Sequence, residues 1–159
     1  MNLNELAKKH YEWVEAMNWH NKTVLEALAL IGSEIGEAAF EHIDEVPSSS
    51  FGEELADIML RTLDLAAWQN TNLNEEVFLS KIDWKYNTIP EMFMQLFSEF
   101  GHLVNTARKV NLDNNFHSQL GKFTHGVMDI ATFTNIDLEK EIANKMAINL
   151  QRGTRGRVI

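Results

Sequence analysis

Cysteine is absent from this chain of 159 residues, which excludes disulfides, thiolate zinc sites and cysteine nucleophiles together. Proline occurs twice and glycine eight times; with 45% hydrophobic residues, that scarcity points to a compact helical protein. Positive charge is also in short supply. Fourteen Lys and Arg face 23 Asp and Glu, a formal charge of −9, where a nucleic-acid binder would carry a basic face. No apolar run approaches the length of a membrane span, and no charged-then-apolar leader opens the chain. No window alternates convincingly with period two, so strands are not expected. The expectation is one soluble, cytoplasmic, acidic all-α domain over residues 1–159, long enough to bury a core of its own.

What the sequence does have is helix punctuation. Asn2, Thr23, Ser50, Asn72 and Thr88 each stand three residues before a glutamate (Glu5, Glu26, Glu53, Glu75 and Glu91). That is the capping pattern in which the side chain and the glutamate each satisfy free N–H groups of the first turn. Helices are predicted near 3–18, 23–44, 51–69, 73–86, 88–110, 114–134 and 138–151. Between the second and third, Pro47 and three serines mark a loop. Leu28, Ile31, Ile35, Ala38 and His42 form one apolar row on the second helix; Leu55, Met59, Thr62 and Ala66 form one on the third.

An offset of 65 residues aligns the chain with itself. Trp19, Thr23, Glu26, Ser33, Glu34 and Gly36 fall on Trp84, Thr88, Glu91, Ser98, Glu99 and Gly101. After a seven-residue slip, Phe51, Asp57 and Ile58 fall on Phe123, Asp129 and Ile130. The reading is a helical bundle of two fused, unequal repeats, about 1–70 and 71–159. Their acids differ: Glu37 is answered by His102, Glu53 by His125 and Glu54 by Gly126. One half keeps a full carboxylate set and the other has lost it.

In that first half, Glu34-x-x-Glu37 and Glu54-x-x-Asp57 each place two acids on one helix face. Both pairs continue apolar rows, so their carboxylates are expected to point toward a neighbouring helix. Four such groups repel at roughly 4 kcal/mol per pair at contact distance and an effective dielectric near 20. A divalent cation relieves that repulsion, and hard oxygen ligands suit Mg²⁺ or Mn²⁺. Gly32 and Gly36 bracket Glu34 at about 1 kcal/mol each relative to alanine, as if another backbone or a ligand came close. Glu53 is read as completing the Ser50 cap.

The run Glu34-Ile-Gly-Glu37, 16 intervening residues, then Glu54-Leu-Ala-Asp57-Ile-Met-Leu-Arg61-Thr-Leu-Asp64 resembles the all-α nucleoside triphosphate pyrophosphohydrolases. These are the MazG-like proteins, with dimeric dUTPases and phosphoribosyl-ATP pyrophosphatases as relatives. Lys145-x-x-x-Asn149-x-x-Arg152 is similar to a phosphate-contacting segment of that family. The tail Arg155-Gly156-Arg157 departs from the family's usual Arg-His-Gly-Gly-Lys ending. The resemblance implies a helical bundle, a homodimer, and Mg²⁺ held by Glu34, Glu37, Glu54 and Asp57. It implies hydrolysis of a nucleoside triphosphate to monophosphate and pyrophosphate.

For such chemistry a water attacks phosphorus and an acid takes its proton, here Glu34 or Glu37. Positive charge for the phosphates is expected from Arg61, Lys81, Lys145, Arg152 and Arg155. Trp19 and Trp13 are available to stack a base, with Asn18 as a polar reader, although aromatics at this spacing are more often core. Two other readings compete. Glu99-x-x-His102 has the spacing of a di-iron carboxylate bundle, but no second such motif occurs. The helices could also form an interaction or regulatory module whose site has decayed.

Overall fold

The structure, a computed structural model, describes residues 1–42, 50–109 and 112–152. Among these the regular elements are all helical: α1 (Leu3–Ala16), α2 (Val24–His42), α3 (Phe51–Trp68), α4 (Leu73–Leu79), α5 (Ile89–Ala107), α6 (Asn114–Phe133) and α7 (Leu138–Arg152). The Pro47 loop and the Arg155 tail lie outside the described residues, as does the side chain of His42. None of the helices is long and apolar enough to cross a membrane.

Four of the five predicted caps form. Asn2, Thr23, Asn72 and Thr88 accept from the backbone N–H of Glu5, Glu26, Glu75 and Glu91, and Glu26 and Glu91 reach back to their own caps. The fifth does not. Ser50 has helical backbone angles, makes no side-chain cap bond, and donates instead to Glu41 at 2.8 Å. Helix ends carry a signal the sequence reading missed. Asn18, Asn70 and Asn135 adopt left-handed φ of 52°, 54° and 57°. In each case the next residue's N–H bonds a carbonyl five residues back (Trp19 to Val14, Thr71 to Ala66, Ile136 to Ala131), the Schellman closure that asparagine tolerates.

The fourth helix is shorter than its expected 73–86. Ser80 turns extended (φ −67°, ψ 132°), its hydroxyl bonding the Val77 carbonyl and His125 Nδ1. From there Ile82, Trp84 and Tyr86 are half-buried and Lys81, Asp83 and Lys85 exposed. This is a period-two alternation that burial against the bundle, not strand pairing, selects.

α3 is the central helix, packed against α1, α2, α6 and α7. Its apolar residues cover all but one stripe: Phe51, Leu55, Ala56, Ile58, Met59, Leu60, Leu63, Leu65 and Ala66 are all buried. A helix apolar over so much of its surface has to sit inside a bundle. Each fully buried large side chain contributes about 1.5–3 kcal/mol. The α2 row arrives as expected, with Leu28, Ile31, Ile35 and Ala38 buried. α1 and α2 pack on α3, α4 and α5 pack on α6, and α2–α5, α3–α6 and α1–α4 contacts join the two sets. Asn2-Leu-Asn-Glu and Asn72-Leu-Asn-Glu cross-link at that last junction. Leu3 N–H and the Asn74 amide donate to Asn74 and Asn2 side-chain oxygens at 2.9 Å, and Asn74 N–H donates to Asn4 at 3.2 Å.

The expected role of Gly32 is corrected. A Cβ there would stand 3.3 Å from the Phe100 ring, so the glycine admits α5. Nothing lies within 4 Å of a Cβ at Gly36, so that glycine has no packing reason among the described residues.

Candidate active site

The polar stripe of α3 faces one cleft. Glu54, Asp57, Arg61 and Asp64 follow three-four-three spacing, which keeps them on one side of a helix otherwise committed to the core. Asp57, Arg61 and Asp64 line a pocket of about 500 Å³. α2 contributes Leu30 and Glu34 to its wall, α7 contributes Lys145, Asn149 and Arg152, and α1 with the turn after it contributes residues from His10 to Asn21. Thus Trp19, Asn18, Arg61, Lys145, Asn149 and Arg152 are brought together with two of the acids.

Glu34, Glu54 and Asp57 converge, each offering a carboxylate oxygen within 4.8 Å of the others. Glu37 is set apart. It is exposed, accepts from Ser33 at 3.4 Å, and acts on the cluster through its charge. Arg61 Nε bonds Glu34 Oε1 at 3.1 Å. The Lys145 ammonium is buried between Glu53, at 2.6 Å, and Asp57. Glu53 therefore anchors a lysine across the cleft instead of completing a helix cap. That is the correction to its expected role.

The electrostatics follow from this crowding. Burial, then the charges of Asp57 and Glu37, push the Glu54 carboxyl up to about 7. Burial also raises Glu34 and Asp57 above the usual carboxylate range, against the pull of Arg61 on the first and Lys145 on the second. Lys145, held by two carboxylates, stays above its ordinary value even though burial alone would lower it. Three converging carboxylates, of which Glu34 is paired with Arg61 and Asp57 with Lys145, make an oxygen set that suits a hard divalent cation.

An aromatic wall closes the other side. Trp13 and Trp19 meet edge to face at 5.0 Å, and His10 stacks on Trp13 at 5.6 Å. Burial and then the Arg61 charge lower His10 to about 4, so it is a neutral ring at pH 7. Both tryptophans are half-buried on the pocket wall and do not belong to the core cluster. His10 and Asp64 were not among the expected site residues. Asp64 was legible as the fourth member of the α3 stripe; His10 only as a ring one turn before Trp13.

Lys81 is not brought here. It lines a second, more open groove with His102, Lys109 and Lys122, because the extended 80–86 segment carries it to α5 and α6. His102 is exposed. Glu99, the counterpart of Glu34, is taken up by Gln119 at 2.7 Å and Lys122 at 3.0 Å. Those bonds outweigh burial and hold its carboxyl below the usual range. At Gly126, which the sequence offset aligns with Glu54, a Cβ would run into the Trp84 ring. Glu99 and His102 do not join a metal-capable group among the described residues.

Comparison with protein-family models, with curated proteins and with solved structures finds no match for this chain.

Proposed function

We propose that the chain hydrolyses a nucleoside triphosphate to the monophosphate and pyrophosphate, with Mg²⁺ (Mn²⁺ as alternative) at Glu34, Glu54 and Asp57. The observation that carries this reading is one pocket lined by three sets of groups: Glu34 and Asp57 of the acid cluster, the cationic face of α7 with Arg61, and a tryptophan wall. A triphosphate needs all three. When bound, the cation would offset charge on the phosphate oxygens and lower the pKa of a water. Lys145, Asn149 and Arg152 share one face of α7 and hold the phosphate chain; Arg61 is the nearest further cation. The water oxygen bonds to the α-phosphorus, the bond to the bridging oxygen breaks, and pyrophosphate leaves. Glu34 faces the pocket and takes the water's proton, its raised pKa suiting a base. Glu37, exposed at the rim, tunes Glu34 and Glu54 by its charge.

In this reading the chain is a duplication. The matched packing of α1, α2 and α3 with α4, α5 and α6 supports it, and the second unit braces the first. Exposed Leu25 and Phe40 on α2 and Met94 and Phe97 on α5 supply the apolar face of a homodimer. A second reading, a helical binding module without turnover, draws on Lys145 and Arg61 already neutralising Asp57 and Glu34.

Pyrophosphate release from a panel of NTPs and dNTPs, with Mg²⁺ and then with EDTA, separates the two. Release that requires the metal is the expected result. No release from folded protein across the panel favours the binding module.

A further inference from the structure

We propose that the groove between α5 and α6 is a second binding site, for a small anion carrying two or three linked phosphates, separate from the cleft and from the hydrolase reading of it. The groove has a volume of about 590 Å³ and is walled by the end of α4, the segment after it, α5 and α6. Lys81, Lys109 and Lys122 line it together with His102, and no aspartate or glutamate does. In a chain with 14 Lys and Arg against 23 Asp and Glu, a concavity with three ammonium groups and no acid on its wall runs against the composition. Lys81 and Lys109 are exposed and form no ion pair among the described residues. Lys122 is balanced by Glu99 at 3.0 Å, so the groove keeps an excess of positive charge.

The placement of the cations defines the ligand. The lining residues run from His102 to Lys109 on α5 and from Asn115 to Lys122 on α6, each set at i, i+3, i+4 and i+7, so each is one helix stripe. Both stripes consist of amides, hydroxyls, an imidazole and lysines, with no apolar side chain. The helices run antiparallel there, because Gln119 and Lys122 both bond Glu99. Ser80 meets His125 Nδ1 at 2.6 Å, which sets Lys81 at the Lys122 end. Lys109 stands at the other end, seven residues beyond His102 and roughly 10 Å along the axis. Lysines at both ends, with neutral donors between, suit an anion whose charge is spread along a short chain. A lone phosphate or carboxylate would engage only one end. The offset of 65 residues adds an independent sign. It sets Glu37, Glu41 and Asp44 of the first half against His102, Thr106 and Lys109 of the second. Decay of an acid site would remove carboxylates; it would not put basic groups in their place.

The test is calorimetric titration of the full chain, in EDTA, with orthophosphate, pyrophosphate, tripolyphosphate, ADP, ATP and tetraglutamate. It needs neither metal nor turnover, so its failure and that of the hydrolase reading are separable. Pyrophosphate or tripolyphosphate should bind roughly tenfold or more tightly than orthophosphate. Tighter binding of ADP or ATP than of the inorganic chain of equal length would name a nucleotide as the source of the phosphates; the reverse would name the free chain. The double variant Lys81→Ser, Lys109→Ser should weaken the anion about ten- to a hundredfold. Lys9→Ser with Lys140→Ser removes as much charge from exposed sites outside the groove and should change affinity less than about twofold, since distant surface charges are screened. Arg152→Ser takes a cation from the cleft and should also leave this binding in place. Circular dichroism checks that each variant stays helical, and if the double variant unfolds, Lys109→Ser alone carries the test. No saturable binding by folded protein, equal loss from either control, or tetraglutamate binding as tightly as tripolyphosphate overturns the proposal.

Discussion

The acid cluster makes cation binding a proton-coupled event, and the coupling has a predictable size. Glu54 is pushed up to about 7, with burial first and the charges of Asp57 and Glu37 next. A divalent cation takes the carboxylate and not the acid. With that pKa the carboxylate fraction is roughly 0.1 at pH 6 and 0.9 at pH 8, so the apparent Mg²⁺ affinity should rise about tenfold between them. Calorimetry at pH 6 in buffers of different ionisation enthalpy should find close to one proton released per ion, on the order of 0.9. Stability of the metal-free chain gives the sign check. Folding raises Glu54, so its contribution is full below the unfolded value near 4.5 and is lost as pH climbs through about 7. Glu34 and Asp57 are raised as well and act in the same sense. Glu53 and Glu99 are lowered, so their contributions are present above the unfolded value and fade only on the acid side of it. The melting temperature in EDTA should therefore fall between pH 5 and 8, and Mg²⁺ should restore it most at pH 8. Glu54→Gln should flatten both profiles. A Mg²⁺ affinity that is level from pH 6 to 8, or a slope that Glu54→Gln leaves undiminished, would refute the reasoning.

Glu34→Gln and Asp57→Asn should abolish pyrophosphate release while the circular dichroism spectrum stays helical, whereas Glu99→Gln, across the bundle, should leave turnover nearly intact. Equal loss from Glu99→Gln would sink the model of a single active half. Lys145→Met leaves Asp57 without its ammonium partner, which should cost about 1–3 kcal/mol in denaturant melts and move the Mg²⁺ pH profile upward. Gly126→Ala drives a methyl group into the Trp84 ring and should destabilise by about 1–3 kcal/mol. Gly36→Ala meets open space on an exposed helix face and should stabilise by about 1 kcal/mol.

Local chemistry made much of the scaffold legible from the chain alone. A cap needs only a side-chain oxygen and an N–H three residues on, so Asn2, Thr23, Asn72 and Thr88 announce their helices wherever these pack. Helical periodicity is equally local, which is why the buried rows of α2 and α3 could be read before any packing was known. It also put Glu34 and Glu37 on one face and Glu54 and Asp57 on another. Where a cue was ambiguous, the structure decided. Ser50 precedes a glutamate as the other caps do, but Glu41 captures its hydroxyl and Lys145 captures Glu53. Residues 80–86 have helix-compatible composition, yet burying Ile82, Trp84 and Tyr86 against the bundle selects an extended path.

The sequence by itself determined the all-helical class, most helix starts, the core rows and the acid-rich first half, because each depends on neighbours within a turn or two. Only the tertiary structure decided which acids meet. It turned Glu37 outward, set Lys145 of α7 against Asp57 of α3, sent Lys81 to another groove, and buried Asp64 Oδ1 and Trp13 Nε1 without hydrogen-bond partners. Those outcomes depend on which faces of α1, α2, α3 and α7 are pressed together. Helix spacing says which residues share a face; the packing of the whole core says what that face looks at.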